Sequence, residues 1–234
     1  TYAHIRVING TTGIINSIAG AMSVGLSGDG GPAIGATFRN PRGVAVDAAG
    51  NVFVADMGNH RIRRIDGTTG LISTYAGTSM GYSGDGAAAI AAQLNAPSGV
   101  NLDPAGNIIV ADAGNQRVRM VNGGGIISHM IGTGSTVTGG FAGDWGPATA
   151  ARINGAVGVV YDPAGSYYLY DRNNQRIRLI KNNSVPYFVG GSHQTMTVCE
   201  NSAPNSINAE IAIIDSDRLQ TETWTVYTAP LSGT

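Results

Sequence analysis

The chain of 234 residues has little charge, a single cysteine and almost no lysine. Cys199 alone excludes an internal disulfide framework and cannot by itself make a metal cluster; it reads as a small buried thiol compatible with any compartment. Charged residues are 12% of the chain, about half the usual globular share, and the formal net charge is −1. That balance offers no basic field for a phosphate backbone, so no nucleic-acid partner is expected. Lys181 is the sole lysine among 14 cationic residues. No apolar run reaches the roughly 18 residues that would suggest a bilayer span, so no membrane insertion is expected. Nor is Thr1 followed by a charged n-region and an apolar h-region, and the chain reads as processed or excised.

What is abundant is glycine, with 35 residues, beside a hydrophobic share of 42% that is ample for a core. Such a balance suits short strands joined by tight turns. Self-similarity organises the whole chain: GVAVDAAGNVFVADMGNHRIRRI at 43–65 returns as GVNLDPAGNIIVADAGNQRVRMV at 99–121 and GVVYDPAGSYYLYDRNNQRIRLI at 158–180. Asp47, Asp103 and Asp162 are spaced by 56 and 59 residues, the difference being an insertion near the glycine-rich stretch 132–140. HIRVINGTTGIINSIAG at 4–20 matches the second half of a copy, so the chain is expected to begin in mid-repeat.

Each copy holds four valine- and isoleucine-rich runs bounded by turn signals; in the first full copy they fall at about 43–47, 52–56, 61–65 and 71–76. The innermost run is apolar on both faces, as sandwiching between sheets demands. Arg61 and Arg63 alternate with Ile62 and predict a wet face for the third strand. A four-stranded antiparallel unit at this period is a propeller blade. Blades are joined by loops of roughly 20 residues, such as GDGAAAIAAQLNAPSG at 84–99, whose alanines predict a short helix closed by Pro97. Leu26, Tyr82 and Phe141 recur before the Gly-Asp step, and Phe38, Leu94 and Ile153 recur after the helical turn. Both sets are expected to pack the loop down.

With these residues in place, GDGGPA…NPRGVAVDAAGNVFVADMGNHRIRRID, with its Asn59-His60 pair, resembles the NHL repeat in its long extracellular form, seen in bacterial surface proteins and the teneurin propeller. The resemblance covers residues 4 to about 190 and implies a propeller used for protein, glycan or nucleic-acid contacts. The third copy departs from the pattern at Ala156, Ser166 and Tyr170, which predicts a more loosely turned blade. After Gly191, TVCENSAPNSINAEIAIIDSDRLQTETWTVYTAPLSGT resembles the opening of cadherin-like or immunoglobulin-like repeats of secreted bacterial adhesins. The expected fold is all-β: a partial β-propeller of NHL repeats over 1–190, about three and a half four-stranded blades, then a truncated β-sandwich segment over 191–234.

Three constellations could carry chemistry. Asp56, Asn59 and Arg61, with Asp112, Asn115 and Arg117 and with Asp171, Asn174 and Arg176, occupy the turn between second and third strands. A structural role is expected, the acids and amides capping the turn and the arginine bonding the aspartate. The loop acids Asp29, Asp85 and Asp144 invite a calcium reading, yet one carboxylate per loop is thin for a cation that wants about six to eight oxygens. In the tail, Asp215 and Asp217 resemble the Asp-x-Asp of calcium-binding cadherin-like repeats, and a turn explains them equally; calcium is the one cofactor in view.

Up-and-down connectivity places that turn and the inter-blade loop on one rim, where the varying residues His60, Gln116 and Gln175 are ligand candidates. Trp145 stands where other copies have Gly30 and Gly86, either as a sugar or protein contact or as a ring folded over the insertion. Propellers with related repeats include a lyase and lactonases. The four histidines occupy no shared position, however, and no nucleophile with base and orienting acid recurs, so no catalytic residues are assigned. Asn9-Gly10-Thr11 and Asn182-Asn183-Ser184 fit glycosylation acceptors in a eukaryotic secretory setting. The leading expectation is a noncatalytic extracellular or cell-surface module for protein or glycan contact, adhesion or spacing within a larger secreted protein. The alternatives are a metal-dependent propeller enzyme with its site in further blades, and a filament subunit. Open sheet edges allow self-assembly.

Overall fold

The computed structural model describes residues 3–134, 141–163 and 165–181, together with the backbone of two later strands. It forms two compact units, Thr1–Ile180 and Lys181–Thr234. The first unit is all-β. β1 (Ile5–Ile8) and β2 (Ile15–Ala19) make a half-blade, and β3 (Pro41–Val46), β4 (Val52–Asp56), β5 (Arg61–Ile65) and β6 (Ile72–Ala76) make the first full blade. β7 (Gly99–Leu102), β8 (Ile108–Asp112), β9 (Arg117–Val121) and β10 (Ile127–Ile131) make the second, and β11 (Ala156–Tyr161), β12 (Tyr167–Asp171) and β13 (Arg176–Ile180) belong to the third. Within each sheet consecutive strands are antiparallel neighbours, which gives a partial β-propeller. In the second unit β14 (Ile211–Ile214) pairs antiparallel with β15 (Thr221–Trp224). The expected sandwich otherwise lies outside the described residues, as do Cys199, Asn182, Asp215, Asp217 and the insertion at 135–140.

Local chemistry explains the strand ends. Asp47 Oδ1 accepts the amides of Ala49 and Asn51 at 2.9 and 2.8 Å, while Gly50 takes φ 81°, and this turns β3 into β4. Asn51 Nδ2 adds a bond to Asp47 Oδ2 at 2.7 Å, repeated by Asn107 and Asp103. Ser166 keeps the backbone bond to Asp162 at 3.0 Å and has no side-chain amide to make the second.

Cores lie between successive sheets, because each blade has apolar side chains on both faces. Phe53, Ala55 and Ile62 of the first blade meet Val100, Ile108 and Val110 of the second. Ile109, Ala111 and Val118 then meet Val159 and Leu169 of the third. Leu94 and Ile153 from the loops are buried in these seams, and Phe38 in the one between the half-blade and the first blade, as their recurrence implied. Each aliphatic side chain taken fully from water contributes about 1.5–3 kcal/mol. At the inner strands the backbones nearly touch: a Cβ on Gly99 would lie 2.4 Å from the Val157 carbonyl, so no larger residue fits.

Four expectations are corrected. Arg63, Arg119 and Arg178 do not face water but are 0%, 0% and 8% exposed, because each is drawn into the sheet by acids on two sides. The innermost strand is apolar on both faces but covered on one, since Val44 and Val46 line an open groove of about 680 Å³ along β3, β7 and β11. The alanine segment is a single 3-10 turn, Ala89–Ala91, that ends as Ala92 goes extended, well before Pro97. Leu26, Tyr82 and Phe141 stay half-exposed; Tyr82 and Phe141 lie against guanidinium groups instead of beneath the loop.

Candidate functional site

The rim is built where the turn from second to third strand meets the loop between blades. In each full copy a 3-10 turn, Met57–Asn59, Ala113–Asn115 or Arg172–Asn174, follows the second strand. The aspartate before it is buried and accepts the same two bonds throughout. Asp56 takes the Arg39 amide and Asn59 Nδ2 at 2.8 Å each. Asp112 takes the Asn95 amide and Asn115 Nδ2 at 2.7 Å each. Asp171 takes the Asn154 amide at 2.7 Å and Asn174 Nδ2 at 2.8 Å.

Opposite each aspartate stands a guanidinium. Arg119 Nη2 lies 2.6 Å from Asp85 Oδ1, and its remaining donors reach Gln93 O and Ser83 O at 2.8 and 2.9 Å. Asp112 is 3.9 Å away on the other side. Arg63 ties Asp29 and Asp56 in the same way, and Arg178 ties Asp144 and Asp171. The loop acids therefore hold arginines, which clamp each inter-blade loop onto its own blade. Burial raises the pKa of two turn aspartates, Asp56 above its ordinary value and Asp112 from 3.8 to about 6.

The arginine expected to bond the turn aspartate does something else: Arg61 donates to Gly77 O and Thr78 O, at 3.2 and 2.6 Å, and Arg117 to Gly132 O and Thr133 O. The pairing falls instead to Arg63, Arg119 and Arg178, which sequence reasoning missed. A signal was there, since each follows its loop aspartate by 34 residues.

The rim candidates divide. His60, Gln116 and Gln175 all take left-handed φ, at 56°, 52° and 54°. His60 Nδ1 accepts the Ala96 amide at 3.0 Å, and burial, then the Arg39 charge, lowers its pKa, which keeps the ring neutral. Gln116 Oε1 accepts the Gly155 amide. Both side chains thus reach across to the next loop. Gln175 is exposed.

Trp145 is 71% exposed, beside Asp144 of the arginine clamp. It holds φ 70°, the left-handed backbone that Gly30 and Gly86 hold at 82°. An L side chain in that region costs about 1–2 kcal/mol, so local backbone preference does not explain the tryptophan. Nearby in the loop, Phe141 carries the Arg176 guanidinium 3.7 Å from its ring centre. Among the described residues no three His, Cys, Asp or Glu side chains are grouped to hold a metal.

Comparison with known proteins agrees with this architecture. The family model described as NHL repeat matches residues 38–65 and 94–119. Mouse Teneurin-1 is 33% identical over 103 residues, covering 38% of this chain and 4% of the relative. Protein SUPPRESSOR OF QUENCHING 1, chloroplastic, of Arabidopsis thaliana is 32% identical over 85 residues, covering 36% of this chain and 8% of the relative. The chain thus spans under a tenth of either. An auxiliary nutrient binding protein from Bacteroides ovatus superposes with a TM-score of 0.56 at 18% identity, over 76% of this chain and 43% of that structure. The fold is a partial β-propeller carrying NHL repeats.

Proposed function

We propose that the chain is a noncatalytic binding module whose rim contacts protein or glycan within a larger extracellular or surface protein. The observation that carries the proposal is Trp145, an exposed aromatic held in a backbone conformation that glycine would occupy more cheaply. Polar groups at the equivalent turns and loops are spent on architecture: the acids hold arginines, and His60 and Gln116 hold the next loop. An exposed tryptophan on a polar rim is a usual recognition element in sugar and protein contacts. The surface location rests on the teneurin-like form of the repeat and the adhesin-like tail. A glycan array and pull-down with the full chain and with Trp145→Ala test the proposal. A partner retained by the wild type and lost by the variant supports it. A stoichiometric zinc ion found by elemental analysis of the full chain would overturn the noncatalytic reading.

A further inference from the structure

Six turns of this chain place asparagine or aspartate before glycine: Asn9-Gly10, Asp29-Gly30, Asp66-Gly67, Asp85-Gly86, Asn122-Gly123 and Asn154-Gly155. Such steps can cyclise, because glycine has no side chain to keep its amide nitrogen from the neighbouring carboxamide carbon. Whether they do depends on what that amide is bonded to, and here the six part company. Gly30 and Gly86 each donate to the fourth strand of a blade, to Ile72 O and Ile127 O at 2.8 Å. Gly67 donates to Asn51 Oδ1 at 3.0 Å, and Gly155 to Gln116 Oε1. Gly10 and Gly123 donate to no described residue, both are exposed, and a Cβ on either would meet nothing within 4 Å.

Asn9 and Asn122 share the rest of their turn with Asp66, whereas Asn154 Oδ1 also accepts Asn173 Nδ2 at 3.0 Å. Asn9 Oδ1 accepts the Thr11 and Thr12 amides at 3.0 and 2.8 Å, and Asn122 Oδ1 accepts Gly124 and Ile126 at 3.0 Å each. Asp66, at the same place in the first blade, accepts Thr68 and Thr69 in the same way.

We propose that Asn9 and Asn122 are sites of spontaneous deamidation through a succinimide, and that Gln116 protects Asn154 from it. The Gly10 or Gly123 nitrogen gives up its proton and bonds to the asparagine Cγ; the Cγ–Nδ2 bond breaks and ammonia leaves with the proton. Water then opens the ring at either carbonyl, giving aspartate or isoaspartate with no oxidation or reduction. The aspartate product is at home in this turn, since Asp66 is native there. Isoaspartate lengthens the main chain within the hairpin and works against the pairings Ile8↔Ile15 and Val121↔Ile127.

The test is peptide mapping by mass spectrometry, with isoaspartate detection, after the full chain is kept warm at mildly alkaline pH. Asn9 and Asn122 are expected to convert, with Asn154 slower by about tenfold, the factor expected when one hydrogen bond must first break. Gln116→Ala should raise the Asn154 rate several-fold, and Gln116→Glu, which keeps an acceptor, should not. Asn154 converting as fast as Asn122 in the wild-type chain, or Asn9 and Asn122 remaining intact, would overturn the proposal without reference to any variant.

Discussion

The second and third blades have nearly the same sequence pattern and quite different surroundings. In the second blade Arg119 is 0% exposed and its loop partner Asp85 27%; in the third, Arg178 is 8% and Asp144 43%. Ile109, Ala111 and Val118 are buried, while their counterparts Tyr168, Tyr170 and Ile177 are 37%, 44% and 66% exposed. The second blade is packed on both faces and the third, among the described residues, on one. An ion pair or an aliphatic row is therefore worth what the adjoining blade makes it worth.

Breaking the arginine clamp should have the largest effect. Arg119→Met and Arg178→Met each strand a buried aspartate and two loop carbonyls and are expected to cost about 3–5 kcal/mol, with the smaller loss for Arg178→Met, whose loop partner Asp144 can turn to water. Urea-denaturation midpoints measure both, and equal losses would mean that the neighbouring blade is irrelevant to the clamp. Acidity probes the same carboxylate more gently. Because burial lifts Asp112 to about 6, the folded chain holds its proton more tightly than the unfolded chain. Its contribution to stability therefore rises as pH falls from about 6 toward 3.8, by as much as about 3 kcal/mol. Thermal melts of wild type and Asp112→Asn from neutral to mildly acidic pH should diverge in favour of the wild type; convergence would mean that Arg119 keeps the acid ionised. Val118→Ala should cost about 2 kcal/mol and Ile177→Ala under about 0.5, which sharpens the contrast between the covered and uncovered rows. Opposite in sign is Trp145→Gly, expected to gain about 1 kcal/mol from the relaxed backbone while abolishing partner binding. A lower melting temperature would make Trp145 a packing residue.

Much of this was legible in the residues. The strands of the first blade fall within two residues of the expected limits, because valine–isoleucine runs between Asp-x-x-Gly turns leave the backbone little choice. Asp56, Asn59 and their repeats form the turn that the pattern implied. The arginines were misassigned because a period-two alternation is read as one wet and one dry face. It has no way to register that an acid from a loop 34 residues earlier folds down over the face read as wet and offsets the cost of burying a guanidinium.

The repeat, its four-strand unit, the turn residues and the oddity of Trp145 were determined by sequence, since each depends on residues close in the chain or on copies that can be laid side by side. Tertiary structure alone decided which arginine meets which aspartate, that His60 and Gln116 reach the following loop, and which asparagine–glycine steps have a bound amide. Those outcomes depend on groups brought together from stretches far apart in the chain, and a hydrogen bond between them exists only once loops and sheets have packed.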